Sequence, residues 1–297
     1  MSIQEMTAKI RDGQGFIAAL DQSGGSTPKA LAQYGIEPNE YNGDSEMFDM
    51  IHAMRSRIMQ SSSFTSDKVI GAILFEMTMD RDVAGKPTPK YLFEDKGIVP
   101  FLKIDKGLEA EENGVQLMKP NPDLDDLLAR AANLGVFGTK ERSVVNAANR
   151  EGIKAVVAQQ FEIGEQVIKA GLMPMLEPEV TITIKDKAEA EAILREEILT
   201  QLDALAPNKQ VMLKVSLPTE PNFYKPLVDH PRVLKVVSLS GGYSREEANA
   251  KLALNTGMIA SFSRALIEGL SAKQADTDFD AILNATTSEI HAASVAG

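Results

Sequence analysis

Apolar positions along this chain follow two alternating rhythms. Short runs of six to eight mostly apolar residues recur through the sequence, and between them apolar residues return every three or four positions. The runs are FIAALD (16–21), VIGAILFE (69–76), VPFLKID (99–105), VFGTKER (136–142), MPMLEPEV (173–180), VMLKVSL (211–217), VLKVVSLS (233–240) and MIASFS (258–263). Each reads as a strand, and several end in polar residues or Gly. The helical patterns lie between them. Residues 44–61 space Met47, Ile51, Met54 and Ile58 along one face. Residues 123–134 start at Asp123 as an N-cap, 151–171 stop at Gly171, and 186–205 carry Ile193, Leu194, Ile198 and Leu202. Residues 244–255 open on Ser244 and Glu247, a capping-box pair, and 276–294 form a last helix. The stretch 77–98, broken by Gly85, Pro87 and Pro89, reads as a long loop with a short helix.

Strand and helix alternating eight times predict an α/β protein of the (β/α)8 TIM-barrel class. The prediction is one domain over 1–297, with a helix before the first strand and another after the last. An open doubly wound sheet would carry G-x-G-x-x-G after its first strand; here DQSGGS stands there. The length of 297 residues suits one large barrel, and no low-complexity segment or linker divides it.

Composition narrows the function. The net charge of −11 argues against nucleic acid or an anionic membrane as partner. An anionic substrate must therefore meet a local cluster of cations and backbone N–H groups. No run approaches the ~18 apolar residues of a membrane helix, and the N-terminal MSIQEMTAKIRDGQG has no apolar signal core. With no cysteine there are no disulfides or thiolates; a cytoplasmic location is expected. The three histidines, His52, His230 and His291, are scattered, so neither a metal nor another cofactor is expected. Nothing in the pattern indicates an oligomeric state.

The candidate chemistry centres on Lys214, inside the apolar run VMLKVSL. Taken alone it reads as a strand lysine snorkelling to water. If buried, its ammonium form is disfavoured, and a neutral amine attacks carbonyls to give a Schiff base. Residues two apart on a strand share a face. Glu177 and Glu179 therefore form one pair, Lys140 and Arg142 another, and both would meet near Lys214 if they point into the barrel mouth. Asp21, ending the first strand, is a further acid/base candidate or a turn residue. Two glycine-rich loops, Ser23-Gly24-Gly25-Ser26 and Ser240-Gly241-Gly242, could hold anions on their backbone N–H groups, and Arg264 could pair with a phosphate. Two such loops point to a substrate with two phosphates.

The stretches AALDQSGGST, LKIDKG, GTKERS, EPEV, VMLKV, LSGGYS and SFSRAL, in this order, resemble the class I fructose-1,6-bisphosphate aldolases, in particular their short bacterial branch. The resemblance runs from about residue 13 to about residue 270. It implies Lys214 as the Schiff-base lysine, Glu177 as the main acid/base, and Glu179 beside Lys214, orienting and deprotonating it. It implies that Asp21 takes the C4 hydroxyl proton. Lys106, Lys140 and Arg142 would act electrostatically on the substrate. Ser240, Gly241, Gly242 and Arg264 would hold one phosphate, with Ser23, Ser26 and Lys106 nearer the other. The implied partner is thus a phosphorylated sugar. Rival readings are another lysine aldolase on a related keto-sugar phosphate, or a non-catalytic sugar-phosphate-binding barrel. Three features depart from the longer animal-type enzymes. Gln22 replaces an acidic residue, SFSRAL is two residues short, and the ending HAASVAG lacks a C-terminal tyrosine tail, which leaves enamine protonation to another group or to water.

Overall fold

The computed structural model describes residues 2–297, and the two rhythms resolve into eight parallel strands in sequential order. They are β1 (Phe16–Leu20), β2 (Val69–Leu74), β3 (Val99–Lys103), β4 (Gly138–Val145), β5 (Met173–Val180), β6 (Val211–Ser216), β7 (Val233–Leu239) and β8 (Met258–Ala260). The N–H of Ala19 in β1 donates to Phe262 O just beyond β8 at 3.2 Å, which brings the ends of the sheet together. The main helices are α1 (Ile3–Asp12), α2 (Ser26–Gln33), α3 (Gly43–Gln60), α4 (Leu124–Asn133), α5 (Arg150–Lys169), α6 (Lys187–Ala204), α7 (Arg245–Leu252) and α8 (Asp276–Ala296). This is the predicted (β/α)8 barrel.

Alternation along the strands divides the apolar residues into two cores. Inward positions such as Ile17, Ala19, Phe101, Phe137, Met175 and Met212 fill the barrel. Outward positions such as Leu20, Leu102, Leu176 and Leu213 join Leu128, Val156 and Leu194 from the helices in a separate outer layer. The inner core is crowded. A Cβ on Gly138 would stand 2.3 Å from Met173 O and 3.0 Å from the Phe101 ring, so only glycine fits at the start of β4. Phe101 and Phe137 then meet edge to face at 5.5 Å. At one end α1 closes the barrel with Met6 and Ile10, which belong to the inner core. Ser2 caps this helix, accepting from Glu5 N–H at 3.3 Å.

Four local expectations change. β4 starts two residues later than predicted and runs to Val145, because Ser143–Val145 pair with Pro178–Val180 and Val144–Val145 also pair with an antiparallel strand at Val115–Gln116. The 77–98 loop contains a small hairpin, Asp82–Val83 with Lys86–Pro87. α2, next to the first glycine-rich loop, is additional. Between β6 and β7, where no helix is predicted, a single turn, Lys225–Val228, makes the connection.

Candidate active site

Opposite α1, the inward positions change from apolar to charged, and a cavity of about 710 Å³ opens there. Register sets which charges meet. Met175 and Leu176 lie opposite Met212 and Leu213, which brings Glu177 and Lys214 to the next rung. Lys214 Nζ lies 3.1 Å from Glu177 Oε1. On the other side Lys140 is level with Met175, and Arg142 with Glu177. The ion pairs nevertheless run diagonally: Lys140 Nζ reaches Glu177 Oε2 at 2.5 Å, and Arg142 Nε reaches Glu179 Oε2 at 2.5 Å. Such diagonal neighbours are within reach of long side chains on adjacent strands. Glu177 therefore bridges two lysines, and all three residues are 3 % exposed. Asp21, just past β1, completes the layer, accepting from Lys140 Nζ at 2.8 Å.

This arrangement fixes charge states. Burial alone would raise the Asp21 carboxyl, but Lys140, Lys214 and Lys103 hold it well below its ordinary value. Burial would likewise depress the Lys140 ammonium, but Asp21, Glu177 and Asp105 hold it above its ordinary value. At neutral pH Asp21 is a carboxylate and Lys140 a cation. Burying such ions costs several kcal/mol each before their pairing is counted, so structural stability alone is a poor reason for the cluster. The outward neighbour Glu141 has no cation partner. It is fully buried, accepts from Thr139 Oγ1 at 3.2 Å, and leaves Oε1 unpaired. Burial raises its carboxyl well above the ordinary range, which favours the neutral acid.

Almost all the expected residues line this one cavity. Gly242 lies off its wall, with Arg264 Nη2 3.6 Å from where its Cβ would be. Gly241 (φ +63°) and Gly242 (φ +122°) make a turn that favours glycine. The first turn of α7 carries Glu246 and Glu247, so an anion suits the Ser240–Gly242 loop and Arg264 better than this helix terminus. In the other glycine-rich loop, Ser26 Oγ donates to Ser23 O at 2.7 Å and accepts from Ser23 N–H at 2.9 Å.

One expectation changes. Glu179 does not sit against Lys214; it pairs with Arg142, one rung higher. Lys106 lines the cavity at its exposed rim, 2.7 Å from Glu76, which also binds Arg130. The buried cation on this strand is Lys103, whose Nζ lies 2.5 Å from Asp105 Oδ1. Asp105 Oδ2 in turn accepts from the Arg142 N–H at 3.1 Å. Lys103 and Asp105 both line the cavity. They are two apart, the same signal that selects Glu177 and Glu179. Among the described residues, no cluster of three or more His, Cys, Asp or Glu is arranged to hold a metal.

A family model described as Fructose-bisphosphate aldolase class-I matches residues 3–231. A protein named fructose-bisphosphate aldolase class 1 from Synechocystis sp. is 54 % identical over 292 residues, covering 98 % of this chain and 97 % of the relative. One of the same name from Porphyromonas gingivalis is 53 % identical over 292 residues, covering 98 % and 99 %. A solved fructose-bisphosphate aldolase from Plasmodium falciparum, in complex with TRAP and a small-molecule inhibitor, aligns with TM-score 0.78 at 19 % identity. It covers 99 % of this chain and 95 % of the other, a likeness in fold.

Proposed function

The chain belongs to the class I fructose-bisphosphate aldolases, and from that membership we propose how its buried charge layer divides the work. The reaction is the reversible aldol cleavage of fructose 1,6-bisphosphate to glyceraldehyde 3-phosphate and dihydroxyacetone phosphate, a step of glycolysis and gluconeogenesis. Lys214 Nζ attacks the C2 ketone. Glu177, in contact with both Lys214 and Lys140, moves the protons that turn the carbinolamine into an iminium with loss of water. Asp21, kept ionised by its lysine neighbours, takes the C4 hydroxyl proton. The C4–O electrons form the aldehyde, the C3–C4 bond breaks, and its electron pair moves through C2 to the iminium nitrogen. Glyceraldehyde 3-phosphate leaves. The enamine takes a proton at C3, and water hydrolyses the resulting iminium to dihydroxyacetone phosphate. Lys140 supports Asp21 and Glu177 electrostatically.

Ser240, Gly241, Gly242 and Arg264 hold one phosphate. Ser23 and Ser26 face the other, with buried Lys103 and rim Lys106 on the same wall. Arg142, tied to Glu179, supports the same wall. The lysine itself is the electron sink, so activity should survive EDTA. A cytoplasmic location fits the glycolytic description of the matching family model. No helix among the described residues is long and apolar enough to cross a membrane.

The contact between buried Lys214 and Glu177 carries this reading. Borohydride reduction with dihydroxyacetone phosphate present should inactivate the enzyme and leave one adduct, mapped to Lys214. An unmodified Lys214, or activity abolished by EDTA and restored by zinc, would refute it. Comparing cleavage of fructose 1,6-bisphosphate, tagatose 1,6-bisphosphate and fructose 1-phosphate tests substrate choice.

A further inference from the structure

Behind Asp21, α3 carries a cation that the chemistry above does not use. Arg55 is fully buried and forms no ion pair among the described residues. Its Nη1 donates to Thr78 Oγ1 at 2.7 Å. Its Nη2 donates to Gln22 O at 2.5 Å and to Gln22 Oε1 at 3.2 Å, while its Nε is unpaired. Gln22 passes the connection on, donating from Nε2 to Ser263 Oγ at 2.8 Å and to Ala19 O at 3.4 Å. Ser263 lines the cavity beside Arg264. A buried guanidinium without a carboxylate is expensive, and an apolar side chain of similar volume would fill the space at lower cost. Its bonds converge on the residue that follows Asp21 and, through that residue's amide, on a hydroxyl at the phosphate end.

We propose that Arg55 is a positioning residue for carbon–carbon cleavage: it anchors the backbone after Asp21, links it through Gln22 to Ser263, and adds a fixed positive charge behind the Asp21 carboxylate. The proposal rests on the role of Asp21 given above. Burial pushes the Arg55 guanidinium down to about 9, against the pull of Asp21, so it is still charged at neutral pH. Asp21 faces Lys140 from β4, Lys214 from β6, Lys103 from β3 and Arg55 from α3. The carboxylates that share Lys140 with it are Glu177 and, more weakly, Asp105. Removing one of these cations, or neutralising it with a new carboxylate, raises the Asp21 carboxyl. The base form is then lost at higher pH.

The test compares Arg55→Met and Gln22→Glu with the parent enzyme. Two readouts are taken: borohydride trapping of dihydroxyacetone phosphate on Lys214, and kcat for cleavage as a function of pH. Arg55→Met should trap to the parent stoichiometry. Its kcat for cleavage should fall about tenfold across the pH range in which the parent is active. Gln22→Glu keeps Arg55 but removes the amide N–H that donates to Ser263, and its kcat should fall while trapping is kept. An Arg55→Met enzyme that traps normally with unchanged kcat would overturn the proposal. If Arg55→Met does not fold, Gln22→Glu decides: a lowered kcat with normal trapping supports the proposal and an unchanged kcat overturns it. A parent enzyme that fails to trap would instead overturn the Schiff-base reading, and this proposal with it.

Discussion

Two buried glutamates of this barrel have different partners: Glu177 is ion-paired, and Glu141 is not. Glu177 stands between Lys140 and Lys214. Glu177→Gln keeps the shape but cannot carry a proton. Formation of the borohydride-trappable adduct should slow by about 10²–10⁴-fold; trapping at the parent rate would remove Glu177 from proton transfer. Glu141, equally buried, forms no ion pair among the described residues, and burial shifts its carboxyl upwards, towards the neutral acid. In the unfolded chain it ionises above about pH 4.3. The unfolded state therefore binds fewer protons, and this residue costs stability as pH rises from there towards its folded titration. Glu141→Gln should accordingly unfold at a higher temperature than the parent at pH 8, and the gap should close towards pH 4. A gap independent of pH would mean that Glu141 is ionised in the folded protein.

Elements carry these residues into place, and they were legible to different degrees. All eight strands follow from the alternation of apolar runs and helical patterns, and most boundaries fall within a residue or two of those observed. Glu177 and Lys214 follow from strand parity within an apolar run. The partner of Glu179 does not, because parity gives a face and not a height. The stagger between β4 and β5 puts Glu179 beside Arg142, and stagger arises only when the sheet closes. Lys103 was legible in principle. Val99, Phe101 and Lys103 share the inward face, and Lys106 lies beyond the strand. Arg55 gives no sequence signal, since its partners Thr78 and Gln22 lie on other elements. At the closed end, α1 contributes packing alone. Ile10→Ala should cost about 2–5 kcal/mol of stability while leaving kcat within about twofold, because the charged layer is at the opposite end of the strands. A large loss of kcat without loss of stability would contradict that division.

The molecule as a whole is acidic, at −11, yet its cavity gathers Lys29, Lys103, Lys106, Arg142 and Arg264. A doubly phosphorylated substrate approaches against the overall field and enters through a local reversal of sign. Raising salt from roughly 0.05 to 0.5 M should increase KM more for fructose 1,6-bisphosphate than for fructose 1-phosphate, with kcat nearly constant; equal increases would locate the attraction outside the cavity. Within the cavity the sum is different. Asp21, Asp105, Glu177 and Glu179 face Lys103, Lys140, Arg142 and Lys214. They are four acidic and four basic side chains, alternating across adjacent strands. An iminium at position 214 carries its positive charge without a titrating proton, so the covalent intermediate keeps a cation beside Glu177 in the place of the lysine it replaces.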